Sequence, residues 1–359
     1  MSAQHLSRRT VVMGLMAGST LAVTGCSSKS GSSTSGGKGT ITVSTFPFGV
    51  EEFTKAVIDP FTKKTGIKVK VVTGSNADRI SQLKIAKGKP NSDVMLISDY
   101  YAAMGQATKL FTPVDAARVP NLGKLAKFAV DTAYDGPAYS YQLNGVLYDT
   151  GKFKAQEASQ WELFGDPANR KKVALPDISA TAGQLMVSGV AATYGSGPYD
   201  VDTAFAKLKS WAQGVLQFYK SSTEVTNLLT QGEIVAAMTL NGFATHLVES
   251  GQPVAWTPPA TGRFMATNRA MIPTGASNLE GALAFIDYLL SVEAQSESAR
   301  VVGDLPVNTG AEVPSSLTDV VGDVAKDPVA AGYRTLDPEP LVQHRSDWVA
   351  RFSSEVVGG

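Results

Sequence analysis

The chain has 359 residues, 43% of them hydrophobic and 18% charged, which is more than one ordinary domain of ~100 to 200 residues would use. Lysine plus arginine, 32, balances aspartate plus glutamate, 32, so there is no basic footprint for nucleic acid and no nucleic-acid partner is expected. With Cys26 as the single cysteine, a disulfide framework and a cysteine-ligated metal site are both excluded.

The first predicted element is an export signal over residues 1–25: Arg8-Arg9, an apolar stretch from Val11 to Val23, and small residues before Cys26. That stretch is shorter than the ~20 mostly apolar residues that span a bilayer, and Gly14 and Gly18 weaken it further. Val23-Thr24-Gly25-Cys26 resembles the bacterial lipobox, which implies cleavage before Cys26 and lipidation of that residue. Ser7-Arg8-Arg9-Thr10-Val11-Val12 resembles the twin-arginine signal, although Val replaces the usual Phe and Leu; Sec export is the alternative. The expected location is the outer face of the cell membrane or the periplasmic space. Residues 26–39 are read as the lipidated cysteine and a Ser/Gly tether that behaves as flexible coil.

From Thr40 onward, short β-rich runs alternate with helical patterns, which predicts α/β layers around mainly parallel sheets. Thr40 to Ser44 and Ile67 to Val72 read as strands. Glu51 to Lys64 reads as a helix with Phe53, Val57 and Phe61 on one face, Gly66 as its stop and Pro60 as a kink. Ala77 to Lys87 reads as the next helix. Asp93 to Ile97 is an apolar run suited to a strand covered on both faces. Val201, Phe205, Leu208, Trp211 and Val215 have helical spacing, as do Ala282, Phe285, Leu289 and Val292. Strands are predicted at Ile234 to Leu240 and around Ala270 to Ile272, and a helix from near Ser179.

Phe61-Thr62-Lys63-Lys64-Thr65-Gly66-Ile67-Lys68-Val69, Ser92-Asp93-Val94 with Ser98-Asp99-Tyr100-Tyr101, and Gln231 to Met238 with Asn241-Gly242 form an ordered series. Ile272-Pro273, Glu280 to Leu290 and Gly303 to Asn308 continue it. In wording and order these segments resemble bacterial extracellular solute-binding proteins of ABC importers, nearest to the spermidine/putrescine-binding family. The resemblance implies a two-lobed periplasmic-binding-protein fold of the class II type, with hinge crossovers near Ala138 to Leu143 and Arg263 to Ala266. Lobe 1 is expected to comprise residues 40–139 and 265–312, and lobe 2 residues 140–264 and 313–359. The implied partners are a small-molecule solute held between the lobes and ABC permease subunits in the membrane. A monomer without cofactor or metal is expected.

A polyamine needs carboxylates for its ammonium ends and aromatic faces along its chain. The family's aromatic and acidic positions are here Leu240, Ala266, Asn268 and Thr181. Candidate ligand contacts are Phe46 and Phe48 after the first strand, Ser98 and Tyr100 after the strand ending at Ile97, and Asn241 after the strand ending at Leu240. Asn268 lies at a family ligand position. Asp177 and Asp304 are candidate carboxylates, Asp177 being equally suited to cap a helix. Arg269 would repel a polycation in the cleft; otherwise it is a solvated or lobe-pairing charge.

The run Pro176 to Gly183 supports a rival ligand class, because a helix beginning near Ser179 with the Ser179 and Thr181 hydroxyls, combined with Arg269 or Arg263, would receive an anion or zwitterion such as a phosphonate or an amino-acid derivative. Ferric iron is a third alternative, through Tyr100 and Tyr101. Catalysis is not expected: His246 and His344 are the histidines beyond the signal, and no G-x-S-x-G elbow, P-loop or H-E-x-x-H is present. A carboxylate-based hydrolase or a purely structural surface lipoprotein would be the other classes.

Overall fold

The β-branched run Thr40-Ile41-Thr42-Val43 suits a pleated surface. In the computed structural model, which describes residues 39–359, it forms β1 (Thr40–Thr45). The export signal, Cys26 and nearly all of the tether lie outside the described residues.

The helix expected over Glu51 to Lys64 is a run of three pieces: α1 (Val50–Phe53), a π turn (Thr54–Ile58) and α2 (Asp59–Thr65). The wide turn comes just before Pro60, whose missing N–H and bulky ring disfavour an unbroken α-helical ladder. Phe53, Val57 and Phe61 are buried on its inner face, where Phe61 meets Phe285 edge to face at 5.2 Å. Gly66 ends the run at φ 76, a left-handed conformation that a side chain would oppose.

β2 (Lys68–Thr73) pairs in parallel with β1, and α3 (Asn76–Ala86) leads to β3 (Val94–Ser98), which is buried throughout. Asp93 ties this region together. Its Oδ2 accepts from Thr42 N at 2.8 Å, while Oδ1 accepts from Ser277 Oγ and Asn278 N. α4 (Asp99–Ala107) follows β3 directly, then β4 (Phe111–Thr112) and the long β5 (Ala138–Asp149).

After α5 (Ala155–Ala158), β6 (Val173–Pro176), α6 (Thr181–Tyr194) and α7 (Val201–Ala212) follow in turn. Val215 is not on α7 as its spacing suggested; Gly214 intervenes, and Val215 opens β7 (Val215–Tyr219). α8 (Ser222–Thr230) leads to β8 (Ala236–Leu240), which starts two residues later than expected. α9 (Asn241–Glu249), β9 (Val254–Thr257) and β10 (Met265–Pro273) come next.

The helix read through Val292 is two helices. α10 (Leu279–Leu289) stops, and Ser291 caps α11 (Val292–Val301) by accepting from Ala294 N. β11 (Leu305–Pro306), α12 (Ser315–Val321) and α13 (Pro338–Arg351) complete the elements used below.

The main strand order is β2-β1-β3-β10-β5-β8-β6-β7. Its centre is β5, whose two halves serve different neighbours. Residues from Ala138 to Leu143 pair with β10, whereas Asn144 to Tyr148 pair with β8 and Val146 to Asp149 with β9.

The change of partner is held by buried side chains. Leu143 N donates to Asn241 Oδ1 at 2.8 Å, and Asn144 exchanges hydrogen bonds with Phe264 through its backbone N–H and its Oδ1. The Tyr333 hydroxyl donates to the Asn144 carbonyl at 2.6 Å. Nearby, Gln295 is 2% exposed: its amide donates to the carbonyls of Tyr139 and Leu289, and its Oε1 accepts from Val307 N.

Candidate ligand-binding site

In an open α/β sheet, ligands collect beyond the carboxyl ends of strands, where loop side chains and helix starts converge. Two such ends face one another here. The stretch Ser98 to Tyr101, at the β3–α4 junction, forms one wall of a cavity with Tyr134; Ser179, Thr181 and Gln184, where β6 passes into α6, form the opposite wall. Arg345 of α13 lies between them. At about 40 Å³ the cavity has room for little more than water.

The first wall carries a carboxylate among aromatic rings. Asp99 Oδ2 accepts from Thr267 N of β10 at 2.9 Å, and Oδ1 accepts from Tyr100 N at 2.7 Å. Burial pushes the Asp99 carboxyl up from its ordinary value, against the opposing pull of these N–H groups and the charge of Arg269. Tyr100 and Tyr101 meet edge to face at 5.0 Å, and both line the cavity. Behind Tyr134 sits Arg269, 0% exposed, with its guanidinium 3.4 Å from the Tyr134 ring centre. One nitrogen donates to Gly136 O at 3.0 Å, while Nε and Nη2 have no hydrogen-bond partner among the described residues. Arg269 is therefore not a solvated charge but a buried cation beneath the wall.

The second wall is built on a short loop. Asp177 Oδ1 accepts from both the N–H and the hydroxyl of Ser179, which folds the loop before α6. The helix starts at Thr181, two residues beyond Ser179, so neither Asp177 nor Ser179 is its cap. The N-cap is Ala180, which has no side-chain oxygen to satisfy the first turn. Arg345 Nη2 donates to the carbonyls of Ile178 and Ser179, and its guanidinium lies 4.5 Å from the Tyr100 ring centre on the facing wall.

Of the residues expected from sequence, Ser98, Tyr100 and Thr181 line this cavity. Phe46 and Phe48 stack on each other at 5.5 Å beyond β1, Phe48 being 71% exposed, and do not line it. Asn241 holds the β5 junction, and Asn268 donates to Ser140 Oγ. Sequence reasoning missed Asp99, Tyr134, Gln184 and Arg345 as cavity residues. Among the described residues, no group of three or more His, Cys, Asp or Glu is arranged to hold a metal ion.

Asp304 also stands outside the cavity, accepting from Ser298 Oγ at 3.0 Å near β11. Burial pushes its carboxyl up from 3.8 to about 6, partly offset by hydrogen bonds from Ser298 and Ser140. The folded chain thus holds this proton more tightly than the unfolded chain. The contribution to stability is fullest below pH 3.8, falls as pH rises to about 6 and is level beyond. An Asp304→Asn chain is expected to be more stable at neutral pH, by on the order of 2 kcal/mol, and to lose this part of the pH dependence. Denaturant melts of both chains across that range check it; parallel curves would show that Asp304 is not the titrating group.

Strands shared between two sheet halves, with a cavity where strand ends from each half face each other, define a two-lobed binding protein of the periplasmic type. The chain belongs to the bacterial extracellular solute-binding protein family, whose model matches residues 56–328. It is similar to spermidine/putrescine-binding periplasmic protein 1 of Haemophilus influenzae, with 25% identity over 272 residues covering 73% of this chain and 75% of that protein. It is also similar to the spermidine/putrescine-binding periplasmic protein of Salmonella typhimurium, with 23% identity over 299 residues covering 81% and 82%. A solved structure described as an ABC transporter from Clostridium perfringens superposes with a TM-score of 0.76 at 25% identity, covering 88% of this chain and 99% of that one. The protein is thus a solute-binding protein of ABC transporters. Among the described residues, no helix is long and apolar enough to cross a membrane.

Proposed function

We propose that this protein captures a small organic solute bearing an ammonium group in the cavity between the Ser98–Tyr101 and Ser179–Gln184 walls and presents it to the permease of an ABC importer. The observation that carries this reading is Asp99, a carboxylate on the cavity wall beside Tyr100, Tyr101 and Tyr134. An ammonium group gains there from a charge-assisted hydrogen bond and from aromatic faces. The spermidine- and putrescine-binding relatives support an amine-bearing ligand.

In this reading the lobes divide where β5 changes partner, residues 40–143 with 265–312 forming one and 144–264 with 313–359 the other. β5 and β10 carry the crossovers, and ligand contact with both walls favours the closed form through its differential affinity. The role is binding and delivery by a monomer, without a catalytic step. The signal pattern before Cys26 supports an exported chain held by lipid at the outer face of the cell membrane or in the periplasmic space.

The test is calorimetry with putrescine and 4-aminobutanoate on the domain without its tether. At least one is expected to bind the parent protein, and Asp99→Asn is expected to weaken that amine by about tenfold, or about 1.4 kcal/mol. If neither amine binds, or Asp99→Asn leaves the affinity unchanged, the ammonium reading is wrong.

A further inference from the structure

The cavity has a second chemical end. Lining the same cavity as Asp99 is a cationic corner made from three sources: the guanidinium of Arg345, the uncapped first turn of α6, and the Ser179–Thr181 loop. α6 runs for 14 residues, so its aligned peptide dipoles place partial positive charge at this turn. A helix start alone would not be a site. Arg345 supplies the independent observation: it is 9% exposed, it lines the cavity, and its Nε is buried without a hydrogen-bond partner among the described residues. A buried guanidinium N–H left unmatched is costly unless an acceptor arrives. The neighbouring carboxylate, Asp177, does not line the cavity and accepts from Ser179.

We infer that this corner receives an anionic group, a carboxylate or a phosphate, so that the solute carries negative charge at one end and an ammonium at the other. The inference rests on the ammonium reading above and adds the second end to it. A polyamine would place one of its cations against Arg345 and the positive end of α6, whereas a zwitterion meets opposite charge at both ends. The Arg345 guanidinium lies 4.5 Å from the Tyr100 ring centre, so an anion drawn to it sits beside that ring.

Three four-carbon probes separate the ends: putrescine with two ammonium groups, 4-aminobutanoate with one ammonium and one carboxylate, and succinate with two carboxylates. Calorimetry on the parent protein is expected to rank 4-aminobutanoate at least tenfold above both others. Arg345→Gln is expected to remove at least tenfold of that affinity while leaving putrescine unchanged or slightly tighter. Because Arg345 also braces the 178–179 carbonyls, Thr181→Glu serves as a second variant. A carboxylate in the first turn suits the helix dipole and preserves folding, yet it should repel the ligand anion and turn the preference toward putrescine.

Putrescine binding as tightly as 4-aminobutanoate, with Arg345→Gln and Thr181→Glu changing neither, would overturn the anionic corner and leave the ammonium reading standing. Succinate binding that depends on Arg345, with no binding of either amine, would uphold the anionic corner and remove the ammonium reading. No binding by any of the three would remove both.

Discussion

A Gly183→Val chain is expected to lose about 3 kcal/mol of folding stability and to bind no solute. Gly183 lies in the first turn of α6 where the preceding loop folds back on it. A Cβ there would overlap the Asp177 carbonyl group and sit 2.8 Å from Ile178 Cα. These are backbone atoms, so no side chain can swing aside. The loop from Asp177 to Ala180 must move or the helix must start later. Either shift displaces the Ile178 and Ser179 carbonyls that Arg345 holds and breaks the second wall of the cavity. Urea melts measure the stability and calorimetry the binding; a variant within about 1 kcal/mol of the parent that still binds solute would show that the loop is softer than its packing implies.

Gln295→Leu is expected to cost a similar amount, about 3 to 4 kcal/mol, for a different reason. Leucine fills nearly the same volume, so packing is conserved and hydrogen bonding is lost. The Gln295 amide donates at 2.9 Å to the Tyr139 and Leu289 carbonyls, and its Oε1 accepts from Val307 N at 2.8 Å. Removing the amide leaves two carbonyls and an N–H in a place water does not reach, each with its own desolvation cost. Exposed Gln343 provides the control, since Gln343→Leu should stay within about 0.5 kcal/mol of the parent. Equal melts for the two variants would refute the bracing role of Gln295.

Much of the scaffold was legible in the chain because it is written in local patterns. The apolar run at Val94 to Ile97 is a strand buried on both faces, and Gly66 stops its helix by adopting a positive φ. Where the pattern ran past a break, it misled. The spacing that carried Val215 onto a helix continued across Gly214, and the one through Val292 crossed a cap at Ser291 that periodicity does not sense.

The cavity was only half legible. Tyr100 and Thr181 could be found because each follows a strand end. Asp99 was masked by its neighbours, since Ser-Asp before a helix reads as ordinary capping. Arg345 offered no local signal at all: it is one arginine on a polar helix, beyond the 56–328 segment that defines the family, and tertiary packing alone brings it over Tyr100. Arg269 reads in sequence as a cleft arginine or a solvated or lobe-pairing charge, and only the strand pairing of β10 shows it enclosed beneath Tyr134.

The strand junction at Leu143 and Asn144 bears on how the protein survives outside the cell. A proteinase needs several residues of unpaired, extended chain to seat in its active site, and exposed loop tips are where nicking concentrates. Here the passage from one sheet half to the other is a continuous strand. Leu143 and Asn144 are both 0% exposed, and their amides are taken by Asn241 and Phe264. This passage between the two halves is therefore denied to digestion in any state that keeps β5 paired, and cleavage is turned toward exposed loops elsewhere.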